Sequence, residues 1–264
     1  MFFRLASWEL GLLIVAIVMG FAVLGLVIGL QLRKHSETLR EPVGAVQGAL
    51  LALVGLILAF GLTMAVGRHD SRRAAVVDET NAIGTTYLRA QTLAEPMRTR
   101  SLDLIERYTD TSIRLSDEVP TTGAFRRTIA EGGEIQRLLW RQAGDALAAA
   151  PTASAPRLYV ETLNEMIDMQ TTRVAALNNR VPGSVLVLEV FGAAIAVGLL
   201  ALYMAMLGRG PLTVGLAAVL LMLLLLVTFD LDRPTRGLIQ VPDAPLKALR
   251  ASMELPPAAT APGG

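Results

Sequence analysis

The sequence predicts an all-α membrane protein with four transmembrane helices in two pairs and a helical cytoplasmic domain inserted between spans two and three. Three observations carry this. Apolar residues make up 53% of the 264 and charged residues 18%, and the mean hydropathy is +0.50; a soluble fold of this length cannot hide that much apolar surface. The charges are segregated, with 15 of the 24 basic and 15 of the 23 acidic residues lying between Gly67 and Pro182. On either side of that polar middle lie four runs long enough to cross a hydrocarbon core of about 30 Å as helices.

Span one is Leu10 to Leu32, 23 residues without a charge, bounded by Glu9 and by Arg33-Lys34. It is longer than the apolar core of a signal peptide and lacks a small-x-small cleavage site before Arg33, so it reads as a retained span. Span two is the uncharged run from Pro42 to Gly67. Span three, Val185 to Leu207, is interrupted only by Glu189, and span four runs from Gly210 to Phe229. Gly208-Arg209-Gly210-Pro211 reads as the turn of a hairpin between them. The domain boundaries follow: 1–67 for the first pair, 68–182 for the inserted domain, 183–230 for the hairpin, and 231–264 for an irregular tail, disordered from Met253 onward.

Four spans place both termini and the inserted domain on one side of the bilayer. Near the membrane that side carries nine basic residues, Arg4, Arg68, Arg72, Arg73, Arg173, Arg180, Arg233, Arg236 and Lys247, against four in the short loops, Arg33, Lys34, Arg40 and Arg209. This excess predicts cytoplasmic termini in a bacterial inner membrane.

The inserted domain is patterned for helices throughout. Its first helix continues span two from Arg68 to about Leu93. Glu95-Pro96 breaks it, and Pro96 suits the first turn of the next helix, whose apolar side is Leu104, Ile105, Tyr108 and Leu115. After Val119-Pro120, Thr121 or Thr122 is placed to cap a helix bearing Phe125, Ile129, Leu138, Leu139 and Leu147, with Gly132-Gly133 as a candidate kink. A Pro/Ala/Ser linker over 148–155 leads to the clearest stripe, Tyr159, Leu163, Met166, Ile167, Gln170, Val174 and Leu177, which ends before Pro182-Gly183. One-faced helices must bury those faces against each other or another subunit.

Several function classes are excluded by composition. A net charge of +1 lacks the basic excess of a nucleic-acid binder. The absence of cysteine and the presence of only two histidines leave no thiolate site, cysteine nucleophile or histidine-based metal centre. No P-loop, dinucleotide fingerprint, HExxH or GxSxG motif is present, so no enzyme activity, cofactor or metal is expected.

Three features remain. Span two carries small residues at Gly44, Gly48, Ala52, Gly55, Ala59, Thr63 and Gly67, spaced so that they stay on one slowly drifting stripe. Such a stripe serves close helix packing or leaves room around a pore axis. In the second case Gly55, Ala59, Phe60, Thr63, Met64 and Gly67 are the lining and constriction candidates. Beyond the span lies the densest polar constellation: Arg68, Arg72, Arg73, Asp78, Glu79, Asn81, Thr85 and Arg89. Arg72 and Glu79 share one face; Asp78, Thr85 and Arg89 share another. They form either a vestibule or an interhelical ion-pair network. Glu189 is the one carboxylate inside a span, a functional candidate by default, with pairing to Arg68 or Arg72 at the interface as the alternative.

The run Arg68-His69-Asp70-Ser71-Arg72-Arg73, followed by Asp78-Glu79-Thr80-Asn81-Ala82-Ile83-Gly84-Thr85-Thr86-Tyr87-Leu88-Arg89, resembles a bacterial family of four-span membrane proteins with a bestrophin-like domain. Glu95-Pro96, Arg107-Tyr108-Thr109-Asp110, Asp232-Arg233-Pro234 and Gly237 extend the likeness over nearly the whole chain. The resemblance reaches more distantly to bestrophins, which are pentameric anion channels. It implies a homo-oligomer in the lipid bilayer, span two at a central axis, and inorganic ions as the cargo. The sequence departs from bestrophins where glycine and alanine dilute the bulky neck residues, and where Ser71-Arg72-Arg73-Ala74-Ala75 stands in place of a tryptophan-rich segment. The expected function is an oligomeric bestrophin-like channel, with anion conduction as that distant likeness implies. The alternative is a non-conducting scaffold or signalling subunit that binds a partner through its cytoplasmic helices. A proton-driven stator ranks last, since span four offers only Thr213 and Thr228 as polar groups.

Overall fold

The computed structural model describes residues 7–33, 36–120, 122–208 and 212–259. Among these, every regular element is a helix: α1 (Ser7–Leu32), α2 (Ser36–Ala90), α3 (Met97–Asp117), α4 (Gly123–Ala149), α5 (Ser154–Asn178), α6 (Gly183–Met206), α7 (Leu212–Leu231) and α8 (Ala244–Ser252). The chain divides into two compact units, Met1–Arg68 with Arg180–Ile239, and His69–Asn179 with Gln240–Gly264.

The first unit contains α1, the apolar part of α2, α6 and α7, the four elements long and apolar enough to cross a membrane. Its tightest seam is between α1 and α6. A Cβ on Gly25 would lie 1.9 Å from the Gly198 carbonyl oxygen, and one on Gly29 would lie 2.4 Å from that of Leu202. The paired positions rise together along both helices, so the two run parallel. The Gly25-xxx-Gly29 pair thus brings two backbones into direct contact, as small-xxx-small pairs do in membranes. The α2 helix runs antiparallel to α6, with Gly44 against Tyr203 and Val54 against Gly192. On α7 the side chains of Ala218, Leu221, Leu225 and Phe229 are buried, while Leu212, Leu216, Leu220 and Leu223 are exposed, a surface suited to lipid. The hairpin turn expected at 208–211 is seen only at Gly208, which has φ +65°; residues 209–211 lie outside the described residues.

After α7 the chain is held by two aspartates. Asp230 accepts the backbone N–H groups of Leu238 and Ile239, both at 2.8 Å, and Asp232 accepts that of Val181 at 2.9 Å. A Cβ on Gly237 would fall 2.8 Å from Asp230 oxygens, so this loop closes only with glycine there.

The second unit packs the polar half of α2 with α3, α4, α5 and α8 around Ile83, Leu93, Ile105, Tyr108, Leu139, Tyr159, Leu163 and Met166. The break at Glu95-Pro96 and the start of α3 at Met97 follow the expectation. The Thr122 hydroxyl caps α4 by accepting the Phe125 N–H at 3.2 Å; Thr121, the other candidate cap, lies outside the described residues. On α4 the buried face differs from the predicted one. Leu138 points outward, and Ile135, Ala143 and Ala146 are buried with Phe125 and Leu139. Small residues that carry little hydrophobic signal line the seam, and Gly132 is packed so closely that a Cβ would lie 2.5 Å from the Gln170 amide nitrogen.

The tail differs most from the expectation of an irregular segment from residue 231. Pro245 occupies the first turn of α8, where its missing N–H costs nothing. Leu246 and Met253 are buried, and Leu249 packs 3.3 Å from the Cβ position of Gly84. Arg250 binds Asp110 at 2.9 Å and Glu106 at 3.5 Å. Nor is the chain disordered directly after Met253, because the Ala259 carbonyl accepts from Arg98 at 2.9 Å and its N–H donates to Gln91 at 3.1 Å. A sequence of nine helical residues flanked by prolines carries too few apolar positions to announce a buried face.

The seam makes a clear prediction. Gly25→Ala pushes a methyl group into the Gly198 backbone and lowers the stability of the detergent-extracted protein by roughly 1–3 kcal/mol, the usual cost of overpacking. Gly48→Ala, where a Cβ meets nothing within 4 Å, leaves the thermal midpoint unchanged.

Candidate functional site

The α2 helix carries every candidate of the first two groups, and the structure sorts them by face. In the membrane unit Gly55, Ala59, Thr63 and Gly67 are exposed, and Phe60 is 62% exposed. Cβ atoms at Gly48, Gly55 and Gly67 would meet nothing within 4 Å. From Gly48 to Gly67 the small-residue stripe is therefore left uncovered by the chain's own helices, with only Gly44 packed against Tyr203, whereas the opposite side of α2, with Val54, Leu58 and Ala65, is buried. Met64 parts from this group, because it is half-buried and packs against the membrane core. The Thr63 hydroxyl donates to the Ala59 carbonyl at 2.8 Å, so its oxygen faces outward as an acceptor.

Along the later part of α2, Asp78, Asn81 and Thr85 are exposed. With Ala82, Glu165 and Met169 they line an open recess of about 390 Å³. Arg73 is exposed and Arg68 half-buried. Arg89 reaches α5, donating to the Leu158 carbonyl at 2.8 Å with Glu161 at 3.7 Å.

Arg72 and Glu79 belong to the interior instead. Arg72 is 1% exposed and donates from Nε to the Ala176 carbonyl at 3.3 Å and from Nη2 to that of Asn179 at 2.8 Å. It binds the carbonyls left unpaired at the C-terminus of α5, where a cation is electrostatically favoured. Glu79, fully buried, is the centre of a network that joins four helices. Its Oε2 pairs with Arg173 Nη1 of α5, and its Oε1 accepts from Tyr108 at 2.9 Å and Ser112 at 3.1 Å, both on α3. Arg173 Nη2 continues to the Ser116 hydroxyl at 2.6 Å and the Ser112 carbonyl at 3.1 Å. From α4, Gln136 donates to the Tyr108 oxygen at 3.4 Å. Burial, with the Glu79 charge beside it, raises the Tyr108 pKa well above the usual phenol value, so the phenol remains a donor. Burial likewise pushes Tyr159 up to about 12.

Arg173, Tyr108 and Ser112 were not among the sequence candidates. A signal for Arg173 existed: it continues the buried α5 stripe of Tyr159, Leu163, Met166 and Gln170, where an arginine requires an acidic partner.

Glu189 departs from the expected pairing at the interface. It is fully buried about six residues into α6, and neither carboxylate oxygen has a hydrogen-bond partner. Its carboxylate occupies the space of a missing side chain at Gly61 of α2, where a Cβ would overlap Oε1 at 1.5 Å. Among the described residues no group of three His, Asp or Glu is placed to hold a metal ion.

These features define a class: a four-span, all-helical membrane protein with a helical unit inserted between its second and third spans. The chain belongs to the Bestrophin-like domain family, whose model matches residues 11–246. Solved structures share the fold. A bacterial bestrophin homologue from Klebsiella pneumoniae superimposes with a TM-score of 0.63 at 14% identity, covering 90% of this chain and 96% of that one. A leucine-to-threonine variant of that homologue gives 0.66 at 14% identity, with coverage of 89% and 97%. A chain described as a membrane protein with a proline-to-alanine substitution gives 0.68 at 14% identity, with coverage of 91% and 97%. No curated protein matches the sequence.

The buried network predicts unequal costs. Arg173→Met strands the Glu79 charge and destabilises the protein by about 3–5 kcal/mol, whereas replacing Glu79 and Arg173 together by leucine costs much less. Denaturant titration of the helical signal in detergent measures both.

Proposed function

We propose that the protein is an oligomeric ion channel, anion-conducting, in which α2 of each subunit lines a central axis. The observation that carries this reading is the uncovered small-residue face of α2. A Cβ at Gly48, Gly55 or Gly67 would meet nothing within 4 Å, and Ala59 and Thr63 lie exposed beside them. In a helix whose other face is buried against α6, a continuous run of small side chains leaves room for water and ions when several copies surround an axis. Family membership supports the assignment, since solved structures of this fold include proteins described as bestrophin homologues.

Phe60 projects from this face and serves as the constriction, closing by dewetting when the ring approaches its neighbours. Met64 packs inward and is not part of the lining. Arg73 and Arg68 supply positive charge beyond the span, and Asp78, Asn81 and Thr85 extend the polar surface. The assembly is a homo-oligomer, a pentamer by analogy with bestrophins. It sits in a bacterial inner membrane with termini and helical unit in the cytoplasm, in keeping with nine basic residues against four.

Reconstitution tests this directly. Liposomes containing the protein release chloride, bromide or nitrate faster than empty liposomes, and Phe60→Ala raises the flux several-fold. The chain has no cysteine, so Thr63→Cys gives a single reporter. A charged thiol reagent added from the aqueous side blocks the flux through Thr63→Cys and leaves the parent protein unaffected. No flux above empty liposomes, in a protein that purifies as a monomer or dimer and retains a specific partner through α3–α5, establishes the scaffold reading instead.

A further inference from the structure

We propose that Glu189 is a proton-binding site within the membrane unit, and that its proton holds α2 against α6. This goes beyond ion conduction and does not depend on it.

Two independent observations point to a ligand. Glu189 is 0% exposed and both of its carboxyl oxygens lack a hydrogen-bond partner. The place it occupies is shaped for a carboxyl group, because the oxygen lies where the Cβ of residue 61 would be and only glycine admits it. An ionised carboxylate with no donor in such surroundings is costly, and such a group is more stable when it takes up a proton. Glu79 shows how this chain treats a buried carboxylate that does ionise: it surrounds it with Arg173, Tyr108 and Ser112. At Glu189 none of these donors exists. A proton is the one ligand that satisfies a single carboxyl group without further ligands. A multivalent cation needs several oxygens, and among the described residues no cluster of three acidic or histidine groups is placed to hold one.

The charged groups on the elements packed with α6 lie toward the helix ends. They include Glu9 in the first turn of α1 and Arg33 just after it, Arg40 and Glu41 before the apolar run of α2 with Arg68, His69 and Asp70 after it, and Asp230 near the end of α7 with Asp232 and Arg233 just beyond. None forms a hydrogen bond with Glu189, neither of whose carboxyl oxygens has a partner among the described residues. When the proton leaves, the charge must be met by water or by one of these groups, and the close contact with Gly61 gives way. Proton occupancy thereby sets the fit of α2, the helix that bears the exposed small-residue face, on α6.

The test uses full-length protein in phosphatidylcholine liposomes treated with dicyclohexylcarbodiimide between pH 5 and 8. This apolar reagent takes up a protonated carboxyl group. The acid oxygen bonds to the central carbodiimide carbon, the proton passes to a nitrogen, and acyl migration to the neighbouring nitrogen leaves a stable N-acylurea. Peptide mass spectrometry is expected to place the adduct on Glu189, with yield falling at least ten-fold as the pH is raised. Glu189→Gln carries no adduct at that position and keeps a thermal midpoint independent of pH over a range in which the parent's midpoint falls. Absence of an adduct on Glu189 at every pH overturns the proposal, as does a parent midpoint with the same pH dependence as Glu189→Gln. Ion flux is not read in this experiment, so a failed channel assignment leaves its outcome intact.

Discussion

Burying Glu79 with Arg173 removes two charges from water, at a cost of several kcal/mol per ion that mutual attraction offsets only when the remaining donors and acceptors are also satisfied. In the helical unit they are satisfied by groups from different helices. Tyr108 and Ser112 come from α3, Gln136 reaches Tyr108 from α4, and Arg173 comes from α5. The apolar contacts around Ile105, Leu139 and Leu163 are non-directional and tolerate sliding. The ion pair does not, because a shift of one helical turn strands a charge. It therefore fixes register for α2, α3 and α5, while Arg72 fixes the end of α5 by binding its last carbonyls.

The membrane unit is built on a different constraint. Lipid offers no hydrophobic force to press apolar helices together, so packing depends on how closely backbones approach. Gly25, Gly29 and Gly198 supply that approach between α1 and α6, and Gly61 admits the Glu189 carboxyl between α2 and α6. Glycines on the other side of α2 do neither. At Gly48, Gly55 and Gly67 an added Cβ would meet nothing within 4 Å, which is why that side, rather than the tight seams, carries the functional proposal.

Much of the fold was legible in the sequence. The four spans, the break at Glu95-Pro96 and the Thr122 cap each follow from strong local signals: absence of charge, proline geometry and a hydroxyl before an apolar run. The α8 helix and the inward turn of Ala143 and Ala146 did not, because small or short segments bury little area and leave no periodic trace. In the candidate site, charge alone placed Arg72 and Glu79 beside Arg73 and Asp78. Their separation into interior and surface depends on helix phase relative to α5, and α5 is some 80 residues or more away in sequence. Glu189 was legible as unusual, but its lack of a partner was not. That requires knowing that Gly61 lies opposite and that Arg72 is engaged at Ala176 and Asn179.

A structure of the detergent-extracted assembly tests the central claim most directly. The face of α2 bearing Gly55, Ala59 and Thr63 is predicted to surround the symmetry axis of a closed ring, with Phe60 at its narrowest point. A monomer, a dimer, or a ring in which that face packs against lipid contradicts it.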